Sequence, residues 1–105
     1  MNSPLEIFAS IIEELEQHPE HWCQGSIALT AGGQLVPSLY QHAVQWCIVG
    51  HINKRADDKI IQRRCYNLIQ DKIDTINIPK WNDAKDHTVE DVINLCKELT
   101  DASQV

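Results

Sequence analysis

The chain has 105 residues, 43% of them apolar, and a formal net charge of −6. A domain of that length buries roughly 65% of the surface its unfolded chain exposes, so no disulfide or metal is needed to hold a core. The composition lies outside the disordered class, and the acidity argues against non-specific nucleic-acid binding, which takes clustered Lys and Arg.

The segment Met1 to Phe8 contains no Lys or Arg, so no secretory signal is expected. No apolar run is long enough to span a bilayer. Cys23, Cys47, Cys65 and Cys96 are irregularly spaced, with no CxxC pair, which favours free thiols, core packing and a reducing cytoplasmic setting.

In chain order, Ser3-Pro4-Leu5-Glu6 is a capping box with proline in the first turn. Leu5, Phe8, Ile12 and Leu15 recur at helical spacing, and Glu6, Glu13, Glu14 and Glu16 take the other face. The spacing predicts a helix over residues 4–17, stopped by Pro19. His18 to Gly25 is a connector. His18, His21 and Cys23 invite a metal reading, but their spacing matches no structural zinc motif, and the preferred reading is a loop anchored by Trp22.

Gly32-Gly33 lies between two short apolar segments and suggests a β-hairpin over residues 26–36, with strands near Ser26–Thr30 and Gln34–Val36. Leu39 to Ile52 is then apolar nearly all round a helical wheel. It belongs to a stretch, Trp22 to Asn53, without any Asp, Glu, Lys or Arg. A helix apolar on every face belongs inside a protein, so a buried central helix is expected over residues 38–55, with Ser38 as its cap. Gly50 inside it costs about 1 kcal/mol against alanine, which calls for close approach of a backbone or a ligand.

Asp57 or Asp58 caps a third helix over residues 58–76. Lys54-Arg55 and Arg63-Arg64 are better read as partners of the acidic first helix than as a phosphate-tracking surface. Ile78 to Asp83 reads as a rigid connector stopped by Pro79, with a turn at Asn82-Asp83 and with Trp81 against the core or lining a pocket. Thr88 caps a fourth helix over residues 89–101, whose first turn holds Glu90 and Asp91, and the tail from Ala102 to Val105 is expected to fray. The fold expected is mainly α: one compact four-helix domain, with a small hairpin between helices 1 and 2. It is a monomer if the amphipathic helices cover the central one and a homodimer if they do not.

Three motifs stand in order: Trp22-Cys23-Gln24-Gly25; Ala43-x-x-Trp46-Cys47-x-x-Gly50; and Trp81-Asn82-Asp83 followed by Thr88-x-x-Asp91-Val92. From Trp22 to Leu99 the chain resembles a family of small uncharacterised bacterial and phage proteins, catalogued as a domain of unknown function. Members of that family often have alanine where this chain has His51. The resemblance implies a compact, mostly helical domain and carries over no activity.

No P-loop, HExxH helix or GxSxG elbow is present. Cys47 and His51, four apart, would place a thiol near an imidazole, but a packed thiol is the preferred reading. Two functions are expected. The first is a non-enzymatic protein-binding module, an adaptor or inhibitor of the kind mobile elements carry, meeting a basic partner through Glu6, Glu13, Glu14, Glu16 and Glu20. The alternative is a small-ligand or nucleotide pocket lined by Trp22, Gln24, His42, Gln45, Trp46, His51, Trp81, Asn82 and Asp83. Neither asks for a cofactor.

Overall fold

The computed structural model describes residues 3–102. Helix α1, Pro4–Gln17, starts as its sequence dictates: the Ser3 hydroxyl accepts from the Glu6 amide at 3.2 Å and donates to the Glu6 carboxylate at 3.1 Å. Pro19 is tolerated because it opens a short 3-10 turn, Pro19–His21, rather than interrupting the helix. Ile7, Phe8, Ile11 and Leu15 form the buried face of α1. Helix α5, Val89–Ala102, packs along it with Val92, Ile93, Leu95, Cys96 and Leu99. Each large apolar side chain fully buried there contributes about 1.5–3 kcal/mol. Lys97 pairs with Glu16 at 3.0 Å across the exposed edge of the two helices. The tail beyond Ala102 lies outside the described residues.

The expected central helix over 38–55 is not formed. Its first part is a loop, residues 43–46 are strand β2 (Ala43–Trp46), and only Ile48–Asn53 is helical, as α2. Strand β2 pairs antiparallel with β1, Ala28–Thr30, with a bulge between Leu29 and Thr30. The wheel misleads because an all-apolar face carries no helical period, and a short apolar run serves strand and helix equally. Val44 and Trp46 suit a pleated surface, and the carbonyl of Ser38, the expected cap, accepts the Trp46 indole N–H at 2.9 Å. The hairpin about Gly33, which takes φ +82, is formed: Thr30 N–H donates to Gln34 O at 3.0 Å and Val36 N–H to Ala28 O at 3.1 Å. Its second limb is reduced to a single bridge, Leu29 to Leu35. Strand β1 therefore lies between that limb and β2.

Helix α3, Lys59–Ile73, is capped by Asp58, whose carboxylate accepts from the Ile61 amide at 2.9 Å. It stops three residues short of the expected 76, at Asp74 in the left-handed conformation. The expected connector at 78–83 is instead a short helix, α4, Ile78–Asn82, so the described residues hold five α-helices rather than four. Asn77 caps it, accepting from the Lys80 amide at 3.0 Å. Pro79 falls in the first turn, where a missing N–H breaks nothing.

The uncharged middle of the chain is dry only in part. Ile48, His51 and Ile52 of α2 are fully buried beneath α1, α3 and α4. Residues 31–35 and 39–42 are exposed, against the expectation of a wholly buried element.

Candidate functional site

Asn82, at the end of α4, is fully buried and joins all three motifs. Its Oδ1 accepts the Trp22 indole N–H at 2.8 Å and the Ile48 amide at 3.0 Å. Its Nδ2 donates to Cys23 O at 3.1 Å and to Asp83 Oδ1 at 2.9 Å. Gln24 Nε2 reaches the carbonyls of Asn82 and Ala84, each at 3.0 Å, and Asp83 Oδ1 accepts from the Gly25 amide at 2.9 Å. Gly25 takes φ +83, which suits a residue without Cβ. Helix α2 is thereby tied down at its first amide. Gly50 completes the joint: a Cβ there would stand 2.2 Å from Ile27 O, so the glycine is explained by a backbone rather than by a ligand.

Beside this joint lies a pocket of about 180 Å³, lined by Gly25, Ser26, Ile27, Cys47, Val49, Pro79 and Asp83. Cys47 is buried at its floor, its Sγ accepting from the Gly50 amide at 3.5 Å, and burial raises its pKa. Burial, followed by the neighbouring Cys47, pushes the Cys23 thiol up to about 12. All four cysteines are buried free thiols.

The other expected pocket residues go elsewhere. Trp46 lies across the sheet under Lys54, whose Nζ is 3.4 Å from the ring centre. Gln45 donates to the carbonyls of Glu20 at 3.0 Å and Trp22 at 3.4 Å. Trp81 packs on His87 with ring centres 4.5 Å apart and lines a shallow groove between α3 and α5. His42 is exposed on the loop before β2, edge-on to Tyr40. Trp22, Gln24, Asn82 and Asp83 are brought together; His42, Trp46, His51 and Trp81 do not join them.

His51 belongs to a second network. Its Nε2 donates to His21 O at 3.0 Å and its Nδ1 accepts from Arg55 Nη1 at 3.0 Å, which fits only the neutral ring. Burial, then the charge of Arg55, drives its pKa down to about 3. Both nitrogens being engaged, His51 offers no base to Cys47. Arg55 also holds Ser10 Oγ at 2.9 Å and Glu14 at 2.5 Å, and Lys54 holds Glu14 at 2.9 Å. Burial alone would raise the Glu14 carboxyl; the Lys54 hydrogen bond and the nearby cations outweigh it and hold the pKa down to about 2. Glu14 thus leaves the set of outward glutamates, while Glu6, Glu13, Glu16 and Glu20 are exposed. The pairing of Lys54 and Arg55 with the acidic helix is the one expected from sequence, whereas Arg63 and Arg64, expected to share it, are exposed on α3 and take no part in the Glu14 cluster. The i, i+4 relation of His51 and Arg55 was the visible signal for the rest of this network.

His18, Glu20 and His21 cluster on the 3-10 turn. Cys23, the third donor expected from sequence, is not among them: its Sγ is buried and donates to Ser26 O at 3.6 Å. Among the described residues no helix is long and apolar enough to cross a membrane. No curated protein and no solved structure matches the chain. A family model does match, over residues 1–102, and by it the chain belongs to DUF6197, a family of unknown function.

Proposed function

We propose that this protein is a non-enzymatic protein-binding module, an adaptor or inhibitor, and that it meets its partner through the loop between β1 and β2. One observation carries the reading. Leu35, Leu39, Tyr40 and Val44 are 73%, 75%, 45% and 40% exposed within a stretch that has no formal charge. Leu35, Leu39 and Tyr40 stand on the exposed loop between β1 and β2 and Val44 on the strand that follows it, and exposed large apolar side chains are a recurrent mark of a contact surface. The exposed Glu6, Glu13, Glu16 and Glu20 favour a partner with a basic rim, where their main effect is on encounter rate. Four free thiols suit a reducing cytoplasm.

The small-ligand alternative has weaker support. Sites for drug-sized ligands run from roughly 300 to 1,000 Å³. The pocket beside Asn82, at about 180 Å³, is smaller, and the open groove of about 370 Å³ between α3 and α5 holds only Trp81 of the residues expected to line a site. Two of the three indoles expected to line a pocket, Trp22 and Trp46, spend their N–H groups on Asn82 and Ser38, and the third, Trp81, packs on His87.

The test is capture from the native host with the purified chain as bait, followed by affinity measurement on the partner found. Changing Leu35, Leu39, Tyr40 and Val44 together to Ser, Ser, Gln and Thr is expected to weaken binding about 100-fold or more, with melting temperature and circular dichroism unchanged. Undiminished affinity in that variant would overturn the assignment of the loop.

A further inference from the structure

We propose that the turn following α1 is a transition-metal site, with His18, Glu20 and His21 as the protein's ligands to an ion of the zinc, nickel or copper class. One donor atom from each of the three lies within 4.8 Å of the other two. Around a tetrahedral ion with bonds of roughly 2.0–2.2 Å, donors stand about 3.3–3.6 Å apart. The pair His18 Nδ1 and Glu20 Oε1 is already at 3.2 Å. The remaining approach is within the swing of a side chain, and those of His18 and Glu20 are more than half exposed.

The backbone that presents these donors is pinned on every side. The His18 amide donates to Glu14 O at 2.7 Å, ending α1, and the His21 amide donates to His18 O at 3.0 Å. From across the fold, Gln45 holds the carbonyl of Glu20 and His51 holds that of His21. Pro19 fixes its own φ inside the turn. A site on a turn so constrained has little ordering entropy left to lose when an ion arrives.

The surroundings of His21 are those of a ligating imidazole. Its Nδ1 donates to Glu14 Oε2 at 2.9 Å, and Lys54 and Arg55 hold Glu14 ionised. A carboxylate on one ring nitrogen fixes the tautomer and the orientation of the ring, as behind many zinc-bound histidines. The His18 ring stacks on it, with centres 4.7 Å apart and planes 13° apart, so both imidazoles lie on one side of the turn; because each ring's lone pair lies in its own plane, the more exposed His18 must turn out of this stack to share an ion with His21. The nearby cations are directed elsewhere: Lys54 spans Glu14 and the Trp46 ring, and Arg55 spans Glu14 and Ser10. Two imidazoles and one carboxylate suit zinc, nickel or copper and not magnesium or calcium, which prefer oxygen alone. Three protein ligands leave a coordination position open.

The test is isothermal titration of the untagged full chain, in a phosphine reductant, with Zn²⁺, Ni²⁺ and Mg²⁺ in turn. One Zn²⁺ or Ni²⁺ per chain and no Mg²⁺ is expected. His18→Ala should weaken binding about 30-fold and Glu20→Gln about 10-fold, while Cys23→Ser leaves it unchanged. Both side chains are exposed, so these variants keep the fold, and circular dichroism checks it. The Co²⁺ form should show d–d bands without a thiolate charge-transfer band. Absence of Zn²⁺ and Ni²⁺ binding overturns the proposal, and so does binding that survives the His18 and Glu20 variants. A thiolate band on Co²⁺, which would place the ion on the cysteines, overturns it as well.

Discussion

Two regions of the uncharged stretch from Trp22 to Asn53 share a composition and differ in fate. Residues 46–53 are largely enclosed, and residues 31–44 stand mostly in water. The difference lies in where the polar groups find partners. In the enclosed region the Ile48 amide goes to Asn82, the Gly50 amide to Cys47, and His51 to Arg55 and His21. Among the described residues no buried side-chain nitrogen or oxygen lacks a partner. Before β2 the links to other segments go to the backbone, Val36 N–H to Ala28 O and the Trp46 indole to Ser38 O, and Leu35 and Leu39 remain outside. Absence of charge permits burial, and hydrogen-bond partners brought from distant segments decide it.

Breaking the enclosed region at its hub should have the largest effect. Asn82→Leu fills the site but strands the Ile48 amide, the Trp22 indole and the Cys23 carbonyl. Urea denaturation should show a loss of about 4 kcal/mol, since each buried orphan costs about 1–3 kcal/mol. A loss below about 1 kcal/mol would mean that water replaces the amide, and that the joint is not what encloses α2.

Gly50→Ala comes next. Helix propensity alone would favour alanine by about 1 kcal/mol. The new Cβ, 2.2 Å from Ile27 O, must push the backbone just before β1 away from α2. A net destabilisation of about 3 kcal/mol is expected by the same denaturation experiment, as for overpacking of a rigid site. A stabilised variant would show that the approach of the two backbones is not tight.

Acid should act on the enclosed region through His51 first and Glu14 second. Folded His51 takes its proton near 3 against 6.5 for the free side chain. The unfolded chain therefore binds the proton first, and stability that is complete above pH 6.5 is lost as pH falls towards 3, at about 1.4 kcal/mol per pH unit. Glu14, lowered from 4.5 to about 2, adds a second loss of the same sign below pH 4.5. Denaturation at stepped pH should show the first slope in the wild type and a flatter curve between 6.5 and 4.5 in His51→Gln, which keeps a donor for His21 O. An unchanged slope in that variant would assign the acid sensitivity to another group.

The smallest effect belongs to the exposed region. Leu39→Ser should change stability by no more than about 0.5 kcal/mol, as at surface positions away from special contacts. A loss of 2 kcal/mol or more, on the scale of a buried leucine, would mean that the loop is covered in solution, and the comparison with the enclosed region would fail.

The ends of the chain were legible because their signals are local. The box Ser3-Pro4-Leu5-Glu6 marked the start of α1 and the pair Asp57-Asp58 that of α3, the structure choosing Asp58, and Gly50 announced a close approach whose partner, Ile27, lay out of sequence view. The segment from Ser38 to Trp46 was misread because its all-apolar wheel carried no period. The choice of strand rested on β1, which ends at Thr30, well upstream of Ala43, and on an indole that reached back to Ser38. The short helix at Ile78–Asn82 was hidden because Pro79 signals a stop and a start alike.

The sequence by itself determined the amphipathic helices α1, α3 and α5 and the capping signals at Ser3 and at Asp57-Asp58, since capping and periodicity act within a few residues. The tertiary structure alone decided that Asn82 is a hub, that His51 is neutral and enclosed, that Glu20 rather than Cys23 joins His18 and His21, and that the loop before β2 faces water. Each of these depends on a donor or an acceptor supplied from elsewhere in the chain, and one-dimensional spacing carries no record of such meetings.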